Sequence, residues 1–231
     1  MPHYLNQTLV ALIPKRIRPE LLGHFRPINL CTTVYKAVTK IIVNKIRPLM
    51  PQLISPFQTA FIPGRKGLDN MMITQEILHS MGKKKGRTGV MGLKIDLEKA
   101  FDKLEWSFIR EVLIDFNFPL NLITIIMECI SSTSTTILFN GGKLEPFLSL
   151  RGIRQGDPIS PYIFIQCLEY LGLLIHEKTI SKTWKAVKAS RTGPAFTHLF
   201  FVDDLILFGQ ASLTTTRAIE DVLTHFCQLS G

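Results

Sequence analysis

The chain has 231 residues, 46% hydrophobic and 19% charged. That is enough apolar surface for one or two packed domains, and too little charge for a disordered chain. No apolar run reaches the roughly 18 residues of a membrane span, and 27 Lys plus Arg against 18 Asp plus Glu leave a net charge of +9, which suits a polyanionic partner such as nucleic acid as well as plain solubility.

Thr8 to Ile13 is β-prone and closed by Pro14, a strand. Lys15, Arg16 and Arg18 then open a basic loop running to Arg26-Pro27. Val34 to Met50 carries apolar residues at helical spacing with basic residues opposite, and Pro51 ends it. Ser55-Pro56-Phe57-Gln58 sets Ser before Pro with Gln three residues on, the pattern of a capped helix start. After a Gly64–Gly67 loop, a helix covers about Asn70 to Met81. Lys83-Lys84-Lys85-Gly86-Arg87, the densest charge run, reads as a solvated loop.

Val90 to Leu97 alternates as a strand, with Ile95 and Leu97 on one face and Lys94 and Asp96 on the other. From Glu98 the period turns helical through Phe101, Leu104, Phe108 and Val112, and another helix spans about Asn121 to Ile130. An Asn-Gly turn joins Thr135–Asn140 to an extended run ending at Leu150. Ser160-Pro161 repeats the helix-start pattern ahead of a helix from Tyr162 to His176, whose apolar run is broken by Gln166 and Glu169. Phe196 to Phe208 reads as two short strands around Asp203-Asp204, and Thr214 to Leu229 as a last helix. Helices interspersed with hairpin-paired strands predict an α+β fold. Cys31, Cys129, Cys167 and Cys227 are far apart and form no C-x-x-C, so no disulfide or zinc site is expected and a reducing compartment fits. Met1 to Tyr4 begins no secretory signal.

Three aspartates carry the chemistry. Asp203 and Asp204 interrupt Leu199 to Phe208, one of the most apolar runs in the chain, where a carboxylate is costly unless it meets a cation or strong donors. A plain hairpin turn is the bland alternative, though such turns more often carry Asn-Gly or Asp-Gly. Asp96 ends another apolar strand and could also cap the helix that follows. Brought together, the three would suit a pair of magnesium ions, hard cations that prefer carboxylate oxygen and act in phosphoryl transfer about 3.5–4 Å apart. Between them, Arg151-Gly152-Ile153-Arg154-Gln155-Gly156-Asp157-Pro158 offers two glycines for close backbone approach and a helix start suited to negative charge.

At this point the sequence resembles reverse transcriptases, and closely the LINE-type (non-LTR) retrotransposon enzymes of plants. The resemblance rests on Leu93 to Asp102, on Arg151 to Pro158 with Ser160-Pro161, and on Phe201-Val202-Asp203-Asp204. Upstream, Leu12 to Lys15, Phe25 to Leu30 and Gln58 to Arg65 match the family's fingers segment, so the likeness covers nearly the whole chain. It implies a right-hand polymerase fold: a fingers subdomain over residues 1–88 and a palm over 89–231, an antiparallel sheet with packed helices. It further implies that Asp96, Asp203 and the main-chain carbonyl of Leu97 hold two magnesium ions, with Asp204 completing the carboxylate cluster. Lys15 and Arg26 would contact the nucleotide triphosphate, and Gln155 and Gly156 would line the nucleotide pocket. Phe101 would lie beneath the sugar and crowd a 2′-hydroxyl.

RNA-dependent RNA polymerases share the palm aspartates but tend to place an acid where Phe101 stands, so deoxynucleotides are expected. Val202 replaces the usual alanine, and its branched side chain should be tolerated in a strand. The implied partners are an RNA template, a DNA primer and deoxynucleoside triphosphates, with no membrane, in an intracellular and by family nuclear setting. The endonuclease and thumb of family members are not among these residues, which leaves a truncated, inactive retroelement remnant or a non-catalytic interaction domain as alternatives.

Overall fold

The computed structural model describes residues 5–83, 89–190 and 192–231. In chain order they form β1 (Gln7–Pro14), β2 (Phe25–Cys31), α1 (Thr33–Ile46), α2 (Met50–Leu53), α3 (Gly67–Lys83), β3 (Val90–Asp96), α4 (Ala100–Lys103), α5 (Trp106–Asp115), α6 (Leu120–Ser131), β4 (Ser134–Phe139), β5 (Gly142–Lys143), β6 (Phe147–Leu148), α7 (Ser160–Ile180), β7 (Val187–Lys188), β8 (Ala195–Phe196), β9 (His198–Phe201), β10 (Asp204–Gln210) and α8 (Leu213–Ser230). The opening Met1 to Tyr4, Lys84 to Arg87 of the basic run and the boundary at residue 88 lie outside the described residues. By compactness the chain divides into two units, Met1–Ile46 with Phe101–Ile163 and Arg47–Ala100 with Phe164–Gly231. The α+β expectation holds.

The first unit is built on a sheet in the order β2-β1-β4, with β5 and β6 both pairing β4. β1 runs antiparallel to β2, with Ile13 opposite Arg26, and parallel to β4, with Gln7 opposite Ser134. Arg26-Pro27 therefore belong to a strand and not to the basic loop expected there. Pro27 has no N–H to give, and an edge strand is where that is tolerated. Two features hid this strand: that proline, and the apolar Ile28 and Leu30 exposed on its outer face. Beside the sheet, α5 packs on α6. The buried faces are Phe108, Ile109, Val112 and Leu113 on α5 and Ile123, Ile126, Cys129 and Ile130 on α6, the helical spacing that drives such packing.

The second unit holds an antiparallel sheet in the order β3-β10-β9 and a β7-β8 hairpin. Ile77 of α3, Val187, Leu199 and Phe208 form its core, with Ile73, Val90 and Ile206 packed around them. Ser55 to Gln58 starts no helix. The Phe57 carbonyl accepts from Phe200 N–H at 2.9 Å, Gln58 bridges to Phe200 in parallel, and the Ser55 hydroxyl donates to Glu169 at 3.1 Å. The backbone groups a helix would need are taken by β9, and the capping hydroxyl by α7. Arg65 fixes this turn by donating to the carbonyls of Ser55, Gln58, Ile54 and Pro51. Pro51 does not stop a helix either; it sits in the first turn of α2, where its missing N–H costs nothing. Just ahead of α7, Asp157 Oδ1 accepts the Ile159 N–H at 3.2 Å, and the Ile159 carbonyl accepts N–H groups of the helix's first turn, while Ser160 Oγ has no partner.

Candidate active site

Asp96 ends β3 and Asp204 begins β10, and the antiparallel register sets them directly opposite each other. Asp204 also pairs with Phe201 of β9, so Val202 and Asp203 alone make the turn between the strands. The three sequence-predicted aspartates thus share one strand end, and all three are exposed. Leu97 follows directly as the first residue beyond β3. Val202 is not a strand residue. It takes a φ of +55°, because a two-residue hairpin turn that matches the strands' twist needs a left-handed position. A β-branched side chain is strained there, at a cost of about 1–2 kcal/mol.

Lys94, two residues before Asp96 on the same face of β3, reaches Asp204 Oδ1 with its Nζ at 3.0 Å. The hydrogen bond that Lys94 donates to Asp204 pushes the ammonium pKa up, and the charges of Asp204, Asp96 and Asp203 add to it. One cation thus offsets repulsion within the acidic strand end. The alternation of β3 places Lys94 on the face of Asp96, and the β3–β10 register brings its partner within reach. Among the described residues no three His, Cys, Asp or Glu side chains are gathered closely enough to hold a metal ion.

The remaining predicted residues belong to the first unit. Lys15 is exposed just beyond β1, with its N–H donated to the His24 carbonyl at 2.8 Å and its Nζ to the Gly23 carbonyl at 3.2 Å. His24 Nδ1 orders this loop by accepting the N–H groups of Glu20 and Leu21, both at 3.0 Å, with Arg16 Nη2 at 2.8 Å. Arg26 is exposed on β2. Phe101 is half-buried in α4, and its carbonyl accepts Ile153 N–H at 2.8 Å. The Gly152 carbonyl accepts from Trp106 Nε1 at 2.8 Å. Half-buried Gln155 gives its carbonyl to Asn29 Nδ2 at 3.1 Å, and Gly156 beside it is exposed with a φ of +88°. The fold therefore ties the glycine loop to the α4–α5 segment and to β2.

The family model described as reverse transcriptase (RNA-dependent DNA polymerase) matches residues 13–230. The chain belongs to this family. This reverse transcriptase-family chain is 26% identical over 222 residues to the transposon TX1 uncharacterized 149 kDa protein of Xenopus laevis, across 95% of its own length and 16% of that protein. It is 25% identical over 214 residues to the retrovirus-related Pol polyprotein from type-2 retrotransposable element R2DM of Drosophila melanogaster, across 92% of its own length and 19% of the relative. The chain thus spans less than a fifth of these two curated relatives. In fold it matches apo telomerase from Candida tropicalis truncated from its C-terminal domain, with a TM-score of 0.62 at 14% identity over 96% of this chain and 47% of that one. The reverse transcriptase family generally uses divalent metal ions. No helix among the described residues is long and apolar enough to cross a membrane.

Proposed function

We propose that the chain is the polymerising core of a plant-type non-LTR retrotransposon reverse transcriptase, which adds deoxynucleotides to a primer 3′-hydroxyl along an RNA template. The observation that carries this is the register of Asp204 on Asp96, with Asp203 in the two-residue turn beside them, in a chain of this family. In this reading residues 1–88 are fingers, 89–231 palm, and the working place is the nucleus.

The donors are all oxygen and exposed, as suits a magnesium ion that keeps several waters, while in this structure Lys94 holds Asp204 and the three carboxylates are not drawn around one point. Asp96, Asp203 and the Leu97 carbonyl would hold two ions, with Asp204 completing the cluster. When bound, the ions supply charge neutralisation at the α-phosphate and at both the attacking and leaving oxygens. The chain's own side chains do the rest. Lys15 and Arg26 bind the triphosphate, as ammonium and guanidinium groups suit phosphate oxygens. Gln155 and Gly156 line the nucleotide pocket, while the Phe101 ring excludes a 2′-hydroxyl. Lys94 limits carboxylate repulsion before a nucleotide arrives.

Primer extension on an RNA template with a DNA primer tests the reading. Magnesium-dependent product is expected from the unaltered chain. Asp96→Asn, which removes charge and keeps shape, is expected to lower the rate at least about 100-fold with a thermal midpoint within about 2 °C of the parent. Retained synthesis in that variant would overturn the assignment, and its unfolding would make Asp96 a structural residue. No product from the unaltered chain would favour an inactive remnant.

A further inference from the structure

Gln155 and Gly156 form a two-residue crest whose flanking residues both turn inward. Asp157 on one side is 2% exposed. Its Oδ2 accepts the Tyr35 hydroxyl at 2.6 Å and lies 3.4 Å from Arg154 Nη2, and its Oδ1 accepts the Ile159 N–H just ahead of α7. Arg154 on the other side donates Nη1 to Asn6 Oδ1 at 2.8 Å and to Thr8 Oγ1 at 2.9 Å, and Nη2 to the Cys129 carbonyl at 3.0 Å. Its guanidinium carbon stands 3.9 Å from the centre of the Tyr35 ring. Asn6 is itself fixed by donating Nδ2 to the Cys129 carbonyl and to Ser132 Oγ. Burial and the neighbouring Asp157 push the Tyr35 phenol far above its ordinary pKa, so it stays a donor.

Such a network is a costly way to fill space. Taking an Arg–Asp pair out of water is often no better for stability than well-packed apolar residues of the same volume. What it supplies is direction: the guanidinium's hydrogen bonds to Asn6, Thr8 and Cys129 and the Tyr35 hydroxyl on the carboxylate hold each group at a fixed angle. Here the guanidinium and the carboxylate are three residues apart in sequence, with the crest between them, and they are gripped by β1, α1 and α6. The crest has one further tie, the Asn29 amide on the Gln155 carbonyl.

We propose that Arg154, Asp157 and Tyr35 are positioning residues, a buried clamp that fixes both ends of the Gln155–Gly156 crest and so sets how those two residues meet the incoming nucleotide. This rests on the reading of Gln155 and Gly156 as the lining of the nucleotide pocket.

Tyr35→Phe, which keeps the ring under the guanidinium, and Asp157→Asn test it in the 231-residue chain by two measurements. Hydrogen exchange is expected to rise about tenfold in peptides spanning 152–159, and to stay unchanged in those spanning 204–210, because local openings follow local ties. In primer extension, the KM for deoxynucleotide is expected to rise about tenfold with kcat within about threefold, the mark of lost ground-state binding. Unchanged exchange at 152–159 overturns the clamp. Faster exchange with an unchanged KM overturns its link to the nucleotide, and exchange rising alike in both segments makes the trio a stability element only. An unaltered chain that makes no product fails the polymerase reading by itself, while the exchange comparison still decides whether the trio holds the crest.

Discussion

A side chain at Gly152 would collide with backbone, which cannot swing aside. A Cβ there would stand 2.6 Å from the Asp102 carbonyl oxygen, and the residue holds a φ of +84°. Gly152→Ala therefore combines left-handed strain with overpacking, and a loss of about 2–4 kcal/mol is expected in denaturant unfolding. A loss under about 1 kcal/mol would show that the loop yields at this point. Val202 presents the opposite case. Its branched side chain occupies a position that glycine would take without strain, so Val202→Gly is expected to stabilise the chain by about 1 kcal/mol, net of the entropy glycine loses on folding. The same denaturant unfolding reads it, and a destabilised variant would mean that packing of the isopropyl group outweighs the strain.

Within β9, His198 is 3% exposed. Its Nδ1 lies 3.0 Å from Thr197 Oγ1, its Nε2 has no partner, and the rings of Phe57 and Phe200 stand 4.7 and 4.5 Å from its own. Burial, with a smaller contribution from His176, holds its pKa down to about 3 against an ordinary 6.5. The unfolded chain takes up a proton near pH 6.5 that the folded chain refuses, so stability is full above 6.5 and falls as pH drops toward 3. The slope reaches at most about 1.4 kcal/mol per pH unit. Glu169 of α7 works the other way, because burial raises its pKa and the folded chain gains relative stability as that carboxyl protonates. His198→Leu is expected to flatten the decline between about pH 6 and 5 in urea midpoints. An unchanged slope would assign the acid sensitivity to other groups.

Elements that carry their own period could be read from the chain. The amphipathic α6 and α8 have bounds close to those their apolar spacing predicts, and β1 and β3 likewise, because burial of one face leaves a mark in the sequence, whereas the single helical period expected from Glu98 to Val112 is split into α4 and α5. β2 left none, with apolar residues on both faces and a proline inside. Ser55 to Gln58 carries a genuine start pattern, but β9 and Glu169 compete for the same groups, and that competition is tertiary. Strands of two residues such as β7 and β8 are too short to show any alternation. At the candidate site, Asp96, Asp203 and Asp204 stood out in the sequence because carboxylates in apolar runs need a reason. Lys94 needed the strand register, and the Arg154–Asp157–Tyr35 network needed three elements brought together.

At the scale of the molecule, neither compact unit is a continuous stretch of chain, so no shift in composition along the sequence could mark where one ends. The charge of +9 belongs to this scale as well. If it serves a nucleic-acid partner, affinity for an RNA–DNA primer–template should fall at least about tenfold between 50 and 200 mM salt, as released counterions require. Titrations at several salt concentrations measure this, and a flat response would leave the charge to solubility.

The pairing of Asp204 with Asp96 gives this chain an unusual point of fragility. Side chains along a strand alternate between its two sides, so sliding β10 by a single residue against β3 would turn its acid away from the facing one. Losing one codon within the seven residues of β10 could leave an intact reading frame and every aspartate still encoded, yet the slip would also carry the buried Leu205 and Leu207 off their packed face, so the facing acids and the sheet would be lost together. A copy damaged in that way would look competent to any inspection of its motifs and be silent in an assay.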